Sequence, residues 1–166
     1  MKRLLIGLLA VAGVCAQQPN PGQPQGPDTT PRYQAIDTQT LSSASEALTV
    51  QQPTSPQHPV IFEAAWVYCS VVCNFTVSQN GTAATATALT VSRLNNSTAA
   101  TATAWHGSNV GAGTTLGTYY LTAPGTYLLD MSRFYLGQGQ GSAQNLTITT
   151  NSITGTVTII IQFVEK

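Results

Sequence analysis

The last long apolar stretch, residues 155–164, constrains the fold more than any other part of the chain. It reads Gly-Thr-Val-Thr-Ile-Ile-Ile-Gln-Phe-Val, and nearly every residue is β-branched or aromatic, as a pleated, half-buried surface favours. One face, at a period of two, is fully apolar: Val157, Ile159, Ile161 and Phe163. Such a strand needs hydrogen-bonded neighbours on both edges and a second layer over its apolar face. The stretch therefore predicts a β-sandwich.

The first sixteen residues have the three parts of a secretory signal peptide. A charged start is followed by an apolar run too short to span a bilayer comfortably, and Val14-Cys15-Ala16 suits cleavage after Ala16. Lipid anchoring through Cys15 is the alternative, but that motif needs a small residue where Val14 stands. We therefore expect a secreted, extracytoplasmic protein whose mature chain has no transmembrane span.

The predicted signal peptide comprises residues 1–16, and two segments follow it. Residues 17–35 are rich in proline and glutamine and lack apolar periodicity, which predicts a disordered leader. Residues 36–59 are expected to be an irregular polar segment joining the domain, although Ser43 and Glu46 have the spacing of a helix cap.

Residues 60–166 alternate strand-like segments with turn signals, and we expect one antiparallel β-sandwich there, jelly-roll or immunoglobulin-like. Residues 60–68 are apolar on both faces and predict a central strand. Asn80-Gly81 after residues 74–79 predicts a hairpin that returns through residues 82–94. The fold class is therefore all-β.

Charged residues are scarce throughout the chain. They make up 7% of the sequence, whereas ordinary domains carry about 25%. Because no cluster of lysine and arginine is present to neutralise phosphates, we expect no nucleic-acid partner. A surface wetted by uncharged polar side chains requires little charge desolvation on contact, which favours a homo-oligomer.

Cys69 and Cys73 are the cysteines that remain after signal cleavage. In a straight strand their Cα atoms would lie about 13 Å apart, whereas a disulfide needs less than about 7 Å, so pairing requires the chain to bend. Outside the cytoplasm we expect them to pair. The alternative is a copper site, since the spacing resembles the copper loop of cytochrome oxidase subunits. That loop carries histidine and methionine close after its second cysteine, where Asn74-Phe75 follow here, so we predict no metal and no cofactor.

Aromatic side chains, together with a histidine that begins a glycine-rich loop, are the candidate ligand surface. Several of them exposed together would form a sugar-stacking platform, although large aromatics also dominate the cores of sandwiches. The candidates are Trp66, Trp105, His106, Tyr119, Tyr120 and Tyr135.

A hydrolase is an alternative interpretation, in which His106 would be grouped with Ser108 or Ser132 and with Asp130. No Gly-x-Ser-x-Gly elbow supports it, and we expect no catalytic residues.

Five asparagines begin Asn-x-Ser/Thr triplets that a glycosylating host would recognise: Asn74, Asn80, Asn95, Asn96 and Asn145. Taken together, the sequence predicts a secreted, non-catalytic module for binding or self-assembly at the cell exterior. The alternatives are a carbohydrate-binding or adhesion module and, less favoured, a copper-binding or hydrolytic protein. The partners left open are a second copy of the chain, a glycan and a cell-surface protein.

Overall fold

The structure is a computed structural model that describes residues 30–53, 58–81, 87–95, 98–107, 113–137 and 144–166. These residues form two antiparallel sheets packed together, so the predicted all-β sandwich is confirmed. The predicted signal peptide and all but the end of the predicted leader lie outside the described residues. Within the described ranges, no helix is long and apolar enough to cross a membrane.

The strands of the described residues are, in chain order, β1 (Arg32–Ala44), β2 (Ala47–Gln51), β3 (Val60–Cys69), β4 (Cys73–Gln79), β5 (Thr87–Leu89), β6 (Ser92–Arg93), β7 (Thr103–Gly107), β8 (Thr114–Leu121), β9 (Gly125–Asp130), β10 (Tyr135–Leu136), β11 (Asn145–Thr150) and β12 (Ile153–Glu165). Sheet A has the order β10-β3-β12-β1-β6, with β9 also paired to β3. Sheet B has the order β5-β7-β2-β11-β4-β8.

The strands pair from the chain ends inward. The first strand pairs with the last, β2 with β11, β3 with β9 and β10, and β4 with β8, and these pairs fall alternately in sheet A and sheet B. A long hairpin wrapped around a sandwich produces this nesting, which is the topology of a jelly roll. Strands β5, β6 and β7 lie between β4 and β8 in the sequence and extend the two sheets at one side.

Strand β12 has the position expected from its sequence. It pairs along its length with β1 on one edge and with β3 on the other. Its inward residues are at most 1% exposed: Val157, Ile159, Ile161 and Phe163. An aromatic row crosses this inner face, because Tyr33 lies opposite Phe163 and Phe163 lies opposite Phe62. The prediction that β3 is a central strand is confirmed as well.

The expected domain boundary at residue 60 is wrong. Strands β1 and β2 lie within the segments that we expected to be disordered leader or irregular polar chain. The error arises because β1 is mostly polar: its outer face carries glutamine and threonine around Ile36, and its buried residues are Tyr33, Ala35 and the acidic Asp37. No helix forms at the predicted cap either, since Ser43 takes a positive φ of 54° and Glu46 pairs through its backbone with Thr150.

The predicted hairpin at Asn80-Gly81 is also wrong. Asn80 has the positive φ, 57°, that a tight turn uses. However, the two edges of β4 pair with β11 and β8, and β5 pairs with β7. Asn80 therefore has the backbone conformation of a turn residue, but the next strand, β5, lies at the opposite edge of sheet B instead of beside β4.

The disulfide between Cys69 and Cys73 is confirmed. The S–S distance is 2.01 Å and the Cα atoms are 6.4 Å apart, so the chain bends between them as pairing requires. The bond joins the end of β3 to the start of β4 and so links sheet A directly to sheet B.

Candidate functional site

An apolar row crosses the outer face of sheet A. Ile36 lies opposite Ile160, Ile160 opposite Trp66, and Trp66 opposite Leu128, so the row passes over four neighbouring strands. At a strand spacing of about 4.8 Å the row is roughly 14 Å long. Leu128 is 60% exposed and Ile36 is 43% exposed. The outer face of this sheet therefore presents a continuous apolar surface to solvent.

Uncharged polar side chains flank the apolar row on both sides. On one side Gln34 lies opposite Gln162, and their amides form a hydrogen bond of 3.0 Å. On the other side Thr38 lies opposite Thr158, and their hydroxyls are 3.0 Å apart. Tyr68 continues this second row and is 38% exposed. These cross-strand bonds hold the polar groups in fixed positions beside the apolar row.

A shallow groove of about 260 Å³ lies where these rows meet. Its lining consists of two aromatic side chains, one aliphatic side chain and four uncharged polar side chains: Trp66, Tyr68, Ile160, Gln34, Gln162, Thr126 and Thr158. We name this surface the outer groove. It suits a neutral ligand with both apolar and hydroxyl-bearing faces.

The six predicted ligand-surface residues do not form one platform. Trp66 alone lies in the outer groove. Trp105 on β7 and Tyr120 on β8 belong to opposite margins of sheet B, where Tyr120 is 67% exposed. Tyr119 is partly buried and stacks on Phe75 with ring centroids 5.3 Å apart. Tyr135, 62% exposed, is on the short strand β10.

His106 faces the interior instead of solvent. It lies opposite the fully buried Leu48, so its ring points between the two sheets. There its Nδ1 is 3.5 Å from Asp37 Oδ1 and 3.4 Å from Glu46 Oε1. The Gln39 amide nitrogen donates to Asp37 Oδ1 at 2.8 Å and lies 3.3 Å from the same histidine nitrogen. We call Asp37, Glu46 and His106 the inter-sheet cluster.

The inter-sheet cluster places two carboxyl groups in a buried environment. Asp37 is 4% exposed and Glu46 is 5% exposed. Burial raises the pKa of Glu46, and the neighbouring Asp37 carboxylate raises it further, while a hydrogen bond with the Ala47 backbone and the electrostatic attraction of His106 oppose the rise. Each of the three residues offers one ligand atom, and these atoms lie within 4.8 Å of one another, so the group has the donors to hold a metal ion.

The hydrolase interpretation gains no geometric support. Asp130 is on β9, and strands β3 and β12 separate it from β1, the strand that contributes Asp37 to the inter-sheet cluster. The carboxylate of Asp130 accepts a hydrogen bond from the Ser132 backbone at 3.0 Å, and the Ser132 hydroxyl and backbone N–H lower its pKa. Ser108 lies outside the described residues.

One of the predicted glycosylation triplets is inaccessible. Asn145 is 4% exposed, and its side-chain nitrogen donates to the Gly81 carbonyl at 2.7 Å. Enzymatic modification of Asn145 in the folded protein is therefore excluded. Asn80, by contrast, is exposed.

Sequence reasoning missed most of the positions in these two candidate sites for two reasons. Ile36, Asp37 and Glu46 lie in the segment expected to be irregular. Leu128 has apolar neighbours on both sides, Tyr127 and Leu129, so its sequence does not distinguish it from a core residue, yet it is largely exposed. A usable signal did exist, because an outward strand position that is apolar among polar neighbours, such as Ile160 between Thr158 and Gln162, marks a surface patch.

No protein-family model, no curated protein and no solved structure matches the chain.

Proposed function

We propose that this protein is a non-catalytic binding module of the cell exterior that binds neutral glycans in the outer groove. The observation that carries the proposal is the composition of that groove, in which Trp66 and Tyr68 lie among glutamine and threonine side chains without a charged residue in the lining. Sugars present C–H groups that stack on aromatic rings and hydroxyls that need hydrogen-bond partners, and this lining offers both.

The polar groups of the outer groove are arranged in advance of binding. Gln162 donates to Gln34, which leaves the remaining amide hydrogens and the Gln162 carbonyl oxygen for a ligand. The pair of Thr38 and Thr158 shares one hydroxyl hydrogen and keeps the other available. Because these side chains are already ordered, ligand binding loses less side-chain entropy.

The chain has two tryptophans, so the fluorescence of a single-tryptophan variant can measure ligand binding in the outer groove. In a Trp105→Phe variant Trp66 is the sole tryptophan, and we expect neutral oligosaccharides found on a glycan array to change its fluorescence. In the matched Trp66→Phe variant only Trp105 remains, outside the groove, and we expect no change in fluorescence.

Truncation of the stacking residue is expected to weaken binding strongly. Loss of a central aromatic contact costs about 2 kcal/mol, which is roughly a 30-fold loss of affinity for Trp66→Ala. Trp105→Ala, on the other sheet, is the control and should bind as the unchanged protein does. Absence of any neutral glycan ligand, or equal losses in the two variants, would overturn the proposal.

Self-association through the same face is the second candidate, and the exposure of Leu128 and Ile36 favours it. Aliphatic side chains gain little from sugar hydroxyls, but two copies related by a two-fold axis through the apolar row would bury them against each other. Sedimentation should then show a dimer that Leu128→Asn converts to a monomer. A monomer at all accessible concentrations removes this candidate and leaves the glycan proposal in place.

A further inference from the structure

The inter-sheet cluster places two buried carboxyl groups beside a single imidazole. Two carboxyl groups, each at least nine-tenths buried, share the single ring of His106 as their ion-pair partner among the described residues. Within the described part of the chain, Asp37 Oδ2 and Glu46 Oε1 have no hydrogen-bond partner, although the latter is within ion-pair distance of His106. A buried carboxylate in this state is costly unless a cation compensates its charge.

Two of the three spacings between donor atoms match those of a tetrahedral metal site, and the third is at most 4.8 Å. Zinc bonds to nitrogen and oxygen of about 2.0–2.2 Å place neighbouring ligand atoms roughly 3.3–3.6 Å apart. Nδ1 of His106 lies 3.4 Å from Glu46 Oε1 and 3.5 Å from Asp37 Oδ1. Two carboxylates and a neutral imidazole also balance the charge of one divalent cation.

The ligand residues are held in place by their neighbours. Gln39 donates to Asp37 Oδ1 at 2.8 Å and so orients that carboxylate. The backbone of Glu46 is fixed to Thr150, whose N–H donates to the Glu46 carbonyl at 2.8 Å and whose hydroxyl accepts from the Glu46 N–H at 3.0 Å. The three ligands come from β1, from the residue preceding β2, and from β7, so they belong to both sheets.

Of the three cluster side chains, that of His106 is the most exposed. The His106 side chain is 17% exposed, so the imidazole reaches solvent while both carboxylates do not.

We propose that Asp37, Glu46 and His106 bind one divalent transition-metal ion of the zinc class, with His106 coordinating through Nδ1. A nitrogen ligand favours zinc over magnesium and calcium, which prefer oxygen donors alone. Three protein ligands leave a fourth position for a water molecule. The ion joins sheet A to sheet B across the interior. Its position is on the side of the sandwich that contains β1 and β7, away from β9.

The test is titration of the chelator-treated full protein with Zn²⁺. Calorimetry measures the binding, and thermal unfolding measures its effect on stability. We expect binding of one ion per chain, a higher melting temperature with Zn²⁺ than with EDTA, and weaker binding of Mg²⁺ and Ca²⁺. Co²⁺ in place of Zn²⁺ should give the visible absorption of a tetrahedral site with a nitrogen ligand.

Isosteric variants identify the ligands. Asp37→Asn, Glu46→Gln and His106→Gln should each lower Zn²⁺ affinity at least tenfold, and circular dichroism checks that each variant is folded. His58→Ala is the matched control, since His58 is exposed and is the other of the chain's two histidines. Absence of Zn²⁺ binding overturns the proposal, as does unchanged affinity in Asp37→Asn and Glu46→Gln or a loss of affinity in His58→Ala. Equal affinity for Mg²⁺ with no loss in His106→Gln overturns the zinc-class assignment.

Discussion

Adjacent isoleucines on β12 occupy opposite environments. Ile159 points into the core and is fully buried, whereas Ile160 lies in the lining of the outer groove. The two residues have the same side chain and lie on the same strand. A difference in their contributions to the free energy of unfolding therefore shows whether each side chain faces the core or the outer surface.

Replacing each isoleucine by alanine should therefore have unequal effects. Ile159→Ala removes core packing and leaves a cavity, which costs about 2–5 kcal/mol of unfolding free energy. Ile160→Ala should cost well below that range, because its side chain has no second layer above it. Denaturant unfolding of the two variants measures both values. Equal losses would mean that the outer face of sheet A is covered in the folded protein.

Tyr33 gives the core a sensitivity to alkaline pH. The residue is 1% exposed and stacks on Phe163 with ring centroids 5.6 Å apart. Burial raises the pKa of its hydroxyl, the Glu165 carboxylate raises it further, and Arg93 opposes the rise. The folded protein therefore retains the phenolic proton more strongly than the unfolded chain does.

The sign of the pH dependence follows from this shift. The stability contributed by the neutral phenol is fully present below pH of about 10, the ordinary tyrosine pKa, and is lost as pH rises through the higher pKa of the folded state. We expect the melting temperature of the unchanged protein to fall as the pH rises above the ordinary tyrosine pKa. In the Tyr33→Phe variant this fall should be smaller. Tyr120→Phe, at an exposed position, should leave it unchanged. A fall of the same size in Tyr33→Phe would contradict the assignment.

At the scale of elements, the connection between β3 and β4 depends on the disulfide. The chain crosses from sheet A to sheet B within the bonded segment, and both cysteines are buried. The same segment packs on β12, since the Ser70 hydroxyl accepts a hydrogen bond from the Thr156 N–H at 2.8 Å.

Replacing both Cys69 and Cys73 by alanine should lower the free energy of unfolding by about 2 kcal/mol, the chain-entropy contribution of so short a loop. Val72→Ala, an exposed change in the same loop, is the control and should have little effect. Denaturant unfolding measures the difference, and a free-thiol assay on the unchanged protein checks the pairing. Two free thiols per chain would contradict the bond itself.

The sequence predicted which residues form a strand where the apolar pattern is strong. It did not predict the register, that is, which residues of neighbouring strands lie opposite each other. The strand at residues 155–164 was predicted correctly because one of its faces is fully apolar, and the strand at residues 60–68 because it is apolar on both faces. The outer groove depends on which residue lies opposite which, as when Ile160 meets Trp66 on one side and Ile36 on the other. That pairing is set by the sandwich as a whole, so single-strand periodicity does not contain it.

At the scale of the whole molecule, the nested pairing makes the first strands essential to the last ones. Strand β1 pairs with β12 from Arg32 opposite Val164 to Leu41 opposite Gly155, and β2 occupies one edge of β11. Because β1 is mostly polar, its sequence did not predict a strand that pairs with β12. For the same reason the sequence did not predict the inter-sheet cluster, to which β1 contributes Asp37. The sandwich therefore begins no later than Arg32, the first residue of β1, instead of near residue 60.

This boundary leads to a test of the topology. A chain of residues 30–166 should unfold cooperatively, whereas a chain of residues 60–166 should not, because the shorter chain exposes the backbone of β12 and β11 along one edge each. It also lacks the buried side chains of Tyr33, Leu48 and Val50. Near-ultraviolet circular dichroism and thermal unfolding distinguish the two chains, and cooperative unfolding of residues 60–166 would show that β1 and β2 are dispensable additions to a smaller sandwich.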